Sequence, residues 1–245
     1  MRDRKLPSFL TFLFLPALFF LVFSACVFFN NRSFRQFTGQ IFRSELAGNT
    51  LNLHYTLKHP ENYGISEAPV TLGSAEPEVL EASGLVLENY QEALRRFPYQ
   101  TLSKTNRLTY DILQLYLQNQ LSGQKFALYA EPLGPTIGTQ AQLPVLLAEY
   151  AFRNKADIET YLTLLTEMDE YYSTLVHFEE AKSREGLFMS ASAAQAVIDQ
   201  CNAFIREPSK NFLITVFAEK IEEADFLTQV EKKHFLEQNE KAVLE

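Results

Sequence analysis

Four histidines, two cysteines and 30 acidic side chains are the material for chemistry in this 245-residue chain, and their spacing leaves few reactions open. None of His54, His59, His177 and His234 is followed by glutamate, and no two stand four residues apart. The helical His-Glu-x-x-His pattern, which presents two imidazoles and a base to zinc, is therefore missing. His54 and His59 lie five apart, the second directly before Pro60 and Glu61; a small metal site and ordinary turn residues would both account for them. His177 and His234 flank apolar helical stripes. The chain contains no Gly-x-x-x-x-Gly-Lys-Ser/Thr phosphate cradle and no Gly-x-Ser-x-Gly elbow to expose a serine nucleophile. Glu167, Asp169, Glu170, Glu179 and Glu180 fall on the polar sides of helical patterns, as a solvated face would place them. Neither a catalytic residue nor a metal ligand is assigned on these grounds.

One segment has the make-up of a contact surface. Residues 132–144 read Pro-Leu-Gly-Pro-Thr-Ile-Gly-Thr-Gln-Ala-Gln-Leu-Pro, with turn formers, small residues and uncharged amides between two helical regions. Backbone extended beside glycine can offer N–H and C=O groups to a peptide by strand addition. An ordered connector filling a gap between helices has the same composition, so both readings stand. Just upstream, Phe126, Leu128 and Ala130 alternate with Ala127, Tyr129 and Glu131. That period predicts one short extended or strand segment within residues 124–140.

The elements that would position this segment are helical. Phe37, Ile41, Phe42 and Leu46 predict a first helix, and the Pro- and Gly-rich stretch from His59 to Glu78 predicts a loop. Helix is expected from Val79 to Phe97, stopped by Pro98, then from a Ser103 cap to Leu121 with Leu108, Ile112, Leu115 and Tyr116 along one face. Another covers Ala141 to Phe152, with Pro144 in its first turn. A long one covers Ala156 to Ala181, striped by Ile158, Tyr161, Leu162, Leu165, Met168, Tyr172, Leu175 and Val176. Ser190, or Ser192 with Gln195, starts a helix to Phe204; Pro208-Ser209 begins another to Lys220. Thr228 and Glu231 form a capping box for a last helix whose apolar stripe meets no stop signal before Glu245. That ending reads as the N-terminal portion of something longer. The expected class is mainly α, a multi-helix array.

An apolar run from Leu6 to Phe29 comes after Arg2, Arg4 and Lys5. It is long enough to span a bilayer, and the positive flank favours export of the residues beyond it. The expected organisation is a signal or membrane anchor over residues 1–29, a polar stalk over 30–36 and a helical domain over 37–245. Phe23-Ser24-Ala25-Cys26 resembles a lipoprotein signal, which makes Cys26 the lipidation candidate; an uncleaved anchor is the alternative. Either ties the protein to the outer face of the cytoplasmic membrane. The whole chain carries −8; its first five residues carry +2, so the exported part carries −10. Such acidity argues against a nucleic-acid partner. Cys201 has no evident mate in the exported part and is expected to be a small buried apolar residue.

Two stretches, residues 53–65 (Leu-His-Tyr-Thr-Leu-Lys-His-Pro-Glu-Asn-Tyr-Gly-Ile) and residues 131–150 around Gln-Ala-Gln-Leu-Pro, resemble the bacterial domain-of-unknown-function family 885, as does Gly186-Leu187-Phe188-Met189-Ser190. The resemblance extends over residues 37–245. It implies a mostly helical bowl around a cleft, zinc as cofactor of a full-length parent, and hydrolysis of a peptide substrate. It also implies that Gly138, Thr139, Gln140 and Gln142 border that substrate. The family's His-Glu metal element has no counterpart in these residues, so no ligand or base is carried over, and this chain alone is expected to be inactive. The competing expectation is a non-catalytic extracytoplasmic helical binding or scaffold lipoprotein; a helical substrate-binding lipoprotein is a third, less favoured for want of a second lobe.

Overall fold

The computed structural model describes residues 8–66 and 68–245, with side chains from residue 18 onward. In chain order the helices are α1 (Ser8–Ala47), α2 (Thr50–Thr56), α3 (Pro77–Arg95), α4 (Lys104–Gly123), α5 (Thr139–Glu149), α6 (Lys155–Thr166), α7 (Met168–Arg184), α8 (Ala191–Ile205), α9 (Phe212–Glu223) and α10 (Gln229–Leu244). Tight 3-10 turns lie at Pro60–Tyr63, Tyr99–Thr101, Gln124–Tyr129 and Pro208–Lys210. The described residues contain no strand, so the mainly α expectation holds and the extended segment does not.

The correction at 124–140 has a local cause. A strand needs a neighbour to take its backbone hydrogen bonds, and none is present here. The chain satisfies itself instead: Ala130 N–H donates to Ala127 C=O at 3.1 Å, and Gly138 N–H to Gly134 C=O at 3.1 Å. Exposure follows the three-residue period of a 3-10 helix instead, with Gln124 and Ala127 half-buried and Lys125 and Phe126 exposed between them.

The chain divides into two units, residues 1–42 with 84–123, and residues 43–83 with 124–245. In the first unit, fully buried Phe34 packs with Leu94, Leu102 and Leu117, and its ring meets Phe97 edge-on at 5.2 Å. Residues 30–36, expected as a stalk, are thus the middle of α1. Asn31 ties them down: its Oδ1 accepts from Ser103 N–H at 2.7 Å and from Asn106 Nδ2 at 2.8 Å, and its Nδ2 donates to Thr101 C=O at 2.8 Å. Leu108, Ile112 and Leu115, read as sharing one face of this helix, are about 60% exposed on α4. No helix among the described residues is long and apolar enough to cross a membrane. Much of the expected anchor over residues 1–29 lies outside the residues described with side chains.

The second unit holds the larger core. Leu143 and Leu147 of α5, Ile158, Tyr161 and Leu164 of α6, Leu213, Phe217 and Ile221 of α9, and Phe235 of α10 are buried together. Tyr161 stacks on Phe217 at 5.3 Å. The expected long helix over 156–181 is two helices, broken at Glu167. Helix α5 begins at Thr139, two residues early, so Pro144 lies beyond the first turn. The helix after Pro208 starts only at Phe212, because Asn211 caps it by accepting from Leu213 N–H at 3.0 Å. Ser190 caps α8, and Thr228 with Glu231 forms the expected capping box. Cys201 is exposed rather than buried.

Candidate functional site

The segment singled out from composition is built as a braced turn at the start of α5. Pro132 and Pro135 preset φ, and the chain folds back so that Thr139 N–H donates to Pro132 C=O at 2.8 Å. Gly138 is the N-cap and has no side chain to cap the helix. The neighbouring Gln140 carboxamide points back across the turn. Its Nε2 donates to Gly134 C=O at 2.7 Å and to Gln200 Oε1 at 2.8 Å, while Gln200 Nε2 donates to Pro135 C=O at 2.7 Å. Gln140 Oε1 is buried and has no hydrogen-bond partner among the described residues. Tyr172 adds a long 3.4 Å bond to Thr139 C=O.

A second brace holds the N-terminal end of the same segment. Lys182 of α7 is wholly buried, with Nζ donating to Ala130 C=O at 2.9 Å and lying 2.9 Å from Glu131 Oε2 and 3.7 Å from Glu179 Oε2. Both Glu179 oxygens are buried without a hydrogen bond. Burial pushes the Glu179 carboxyl above its ordinary pKa, and the Lys182 charge partly offsets that push. The turn over 130–142 is therefore held at one end by an ion pair and at the other by two interlocked amides.

Of the residues expected to border a substrate, Gly138 and Gln140 are buried, Thr139 is half-buried and Gln142 is exposed. Gly138, Thr139 and Gln140 are brought together with Gln200, while Lys182 braces the far end of the segment at Ala130 and Glu131; sequence reasoning singles out neither Gln200 nor Lys182. Lys182 does leave a signal: Leu175, Phe178 and Lys182 stand at spacings of three and four, so a lysine occupies a place where the helical stripe calls for an apolar residue. Gln200 leaves none.

The histidines are engaged singly. His59 Nδ1 lies 3.1 Å from Glu61, and His177 Nδ1 lies 2.6 Å from Glu76, beside an 800 Å³ cleft that also includes Glu167, Glu170 and Thr174. His54 is buried, stacked on Tyr150 at 3.6 Å, with Nε2 accepting from Ala151 N–H at 3.1 Å. Among the described residues no group of three or more His, Cys, Asp or Glu is placed to hold a metal ion. Zinc therefore does not fit the donors described.

His54 makes a pH prediction. Burial, then the Arg153 charge, lowers its pKa from 6.5 to about 4. The unfolded chain thus binds this proton more tightly than the folded chain does. The stability contributed by the neutral ring is complete above about pH 6.5 and is lost as the pH falls toward 4, by about 2 kcal/mol after discounting for partial solvent access. Urea midpoints across that window should fall with acidification in the wild type and fall less in His54→Gln; parallel slopes would contradict the assignment.

The family model described as "Bacterial protein of unknown function (DUF885)" matches residues 62–245, a span that includes the braced turn. No curated protein matches the chain. Among solved structures, the crystal structure of a "putative lipoprotein from Colwellia psychrerythraea" superposes with a TM-score of 0.74 at 15% identity, over 87% of this chain and 38% of that one. At that identity the likeness is one of fold. The chain spans well under half the length of that structure.

Proposed function

The chain belongs to the bacterial DUF885 family, and from that premise we propose that it is the N-terminal portion of an exported, membrane-tethered protein built like a zinc-dependent peptidase, with residues 138–142 bordering a peptide substrate. Since the described donors do not fit zinc, these residues' own share of that function is to bind and orient a peptide. The observation that carries this is the start of α5: a turn fixed by the Gln140–Gln200 amide pair that leaves Ile137 and Gln142 exposed. A surface held in this way loses little conformational entropy when a peptide docks, and the exposed Gln142 carboxamide offers both a donor and an acceptor to peptide backbone. The greater length of the similar crystal structure supports the reading as a portion of a longer protein. The lipoprotein description of that structure, together with the exposed apolar residues Leu18, Phe19 and Phe20 and exposed Cys26, supports tethering at the outer face of the cytoplasmic membrane by lipid or by an uncleaved segment.

The test is peptide hydrolysis by the whole protein that carries this chain, with and without chelator. Cleavage that chelator abolishes and zinc restores is expected. Gln142→Ala, on the exposed first turn, should raise KM several-fold without changing the helical circular dichroism. Unchanged kinetics would remove residues 138–142 from the substrate contact. Absence of any cleavage would favour the second reading, a non-catalytic extracytoplasmic binding or scaffold lipoprotein, for which the exposed stripe of Leu108, Ile112 and Leu115 is the supporting observation.

A further inference from the structure

The second unit contains a cavity of about 620 Å³ that the hydrolytic reading does not use. Its volume lies within the range of small-ligand sites, roughly 300–1,000 Å³. Leu57, Ile65 and Tyr150 supply apolar wall, and Lys58, Arg153 and His54 supply polar groups. Arg153 is anchored by donating to two neutral acceptors, the His54 carbonyl at 3.1 Å and, more weakly, the Lys58 carbonyl at 3.5 Å. A guanidinium has five N–H donors, so most of its capacity remains.

The charge balance inside this cavity is the informative feature. Neither Arg153 nor Lys58 forms an ion pair with a side chain among the described residues. The nearby carboxylates are already engaged: Asp157 accepts from the Arg153 backbone N–H at 2.8 Å, and Glu61 meets His59 at 3.1 Å. In a chain of net charge −8, the lining balances Lys58 and Arg153 against Glu61 and Asp157 and leaves both cations without a carboxylate ion pair among the described residues. His54 completes the set. With Nε2 accepting from Ala151 N–H, the neutral ring carries its proton on Nδ1, which has no acceptor among the described residues.

We propose that this cavity binds a small organic carboxylate with an apolar body, the class that includes the carboxy-terminus of a short peptide. The carboxylate is taken by Arg153 and Lys58, a further acceptor by the His54 Nδ1–H, and the apolar body by Leu57, Ile65 and the Tyr150 ring. Arg153 suits the role because its planar donors match a carboxylate two-by-two. The site is independent of the hydrolytic reading, since it involves neither residues 138–142 nor a metal.

The experiment is isothermal titration of the full chain with N-acetyl-L-leucine and, separately, with N-acetyl-L-leucinamide, which has nearly the same shape without the charge. The acid should bind saturably, one to one, and at least about tenfold more tightly than the amide. Arg153→Gln should weaken the acid by about tenfold. Lys58→Gln, on an exposed residue, should weaken it several-fold with unchanged helical circular dichroism, which keeps the test decisive should Arg153→Gln disturb the fold. Equal binding of acid and amide would overturn the proposal. So would the absence of saturable binding by the acid, or wild-type affinity in both variants.

Discussion

Gly138→Ala is expected to destabilise the protein by about 3 kcal/mol or more, because the added methyl group has no room. A Cβ at this position would lie 2.1 Å from Gln140 Oε1, 2.3 Å from the Gly134 nitrogen and 2.5 Å from the Gly134 oxygen. The first of these is a side-chain atom and could swing away, but only by breaking the bonds that Gln140 makes to Gly134 and Gln200. The other two are backbone atoms of the same turn, and moving them opens the Gly138 N–H to Gly134 C=O bond. Close approach, and not a positive φ, is what requires glycine here: φ is −70°. Gly134→Ala is the control, because a Cβ there meets nothing within 4 Å, and it should cost less than about 1 kcal/mol. Chemical denaturation followed by helical circular dichroism distinguishes them; equal losses would mean that the close packing at Gly138 does not constrain the turn.

Lys182→Ala should be at least as damaging, by about 3–5 kcal/mol, because it leaves Glu179 buried without its compensating charge. Glu131, the other carboxylate partner, is half exposed and can return to water; Glu179, 8% exposed at its side chain, cannot. The Ala130 carbonyl also loses its donor. A second variant separates charge from packing. Lys182→Met combined with Glu179→Leu replaces the pair by apolar side chains of similar volume and should recover most of the loss. The pH dependence has a definite sign. Burial raises the Glu179 pKa and Lys182 lowers it, so removing the lysine raises it further above the unfolded value. A carboxyl with a raised folded pKa binds its proton more tightly when folded, so the deficit of Lys182→Ala should shrink as the pH falls through that pKa. A deficit that stays constant with acidification would show that lost packing, and not the stranded carboxylate, accounts for the damage.

Both predictions concern the same turn, which links stability to the proposed contact with substrate. Residues 130–142 have no regular structure of their own until α5 begins, yet they are tied by the buried ammonium of Lys182 at one end and by paired amides at the other. A binding rim held in this way loses little conformational entropy when a peptide docks. Gly138→Ala and Lys182→Ala would therefore be expected to impair peptide handling in the whole protein before they unfold it.

How much of this was legible in the residues alone depends on the range of the interaction. The helical class, the Thr228–Glu231 capping box, the Ser190 and Ser103 caps and the resemblance to the family could all be read from the sequence, because each rests on residues three or four apart or on a continuous motif. Tertiary structure decided the rest. Alternation at Phe126, Leu128 and Ala130 has the period of a strand, yet without a pairing partner the chain closes its own hydrogen bonds as a 3-10 turn of period three. The stripe of Leu108, Ile112 and Leu115 is as regular as a core stripe, yet those residues face outward within their unit. Phe34 lies in what composition marks as a stalk, and becomes a core residue through Leu94 and Leu117, which come from 60 and more residues away. Gln140 meets Gln200, and Lys182 meets Ala130, across separations of 60 and 52 residues. Periodicity reports which side of a helix is apolar; what stands opposite that side is set by contacts between distant segments, and those define both the braced turn and the cavity beside His54.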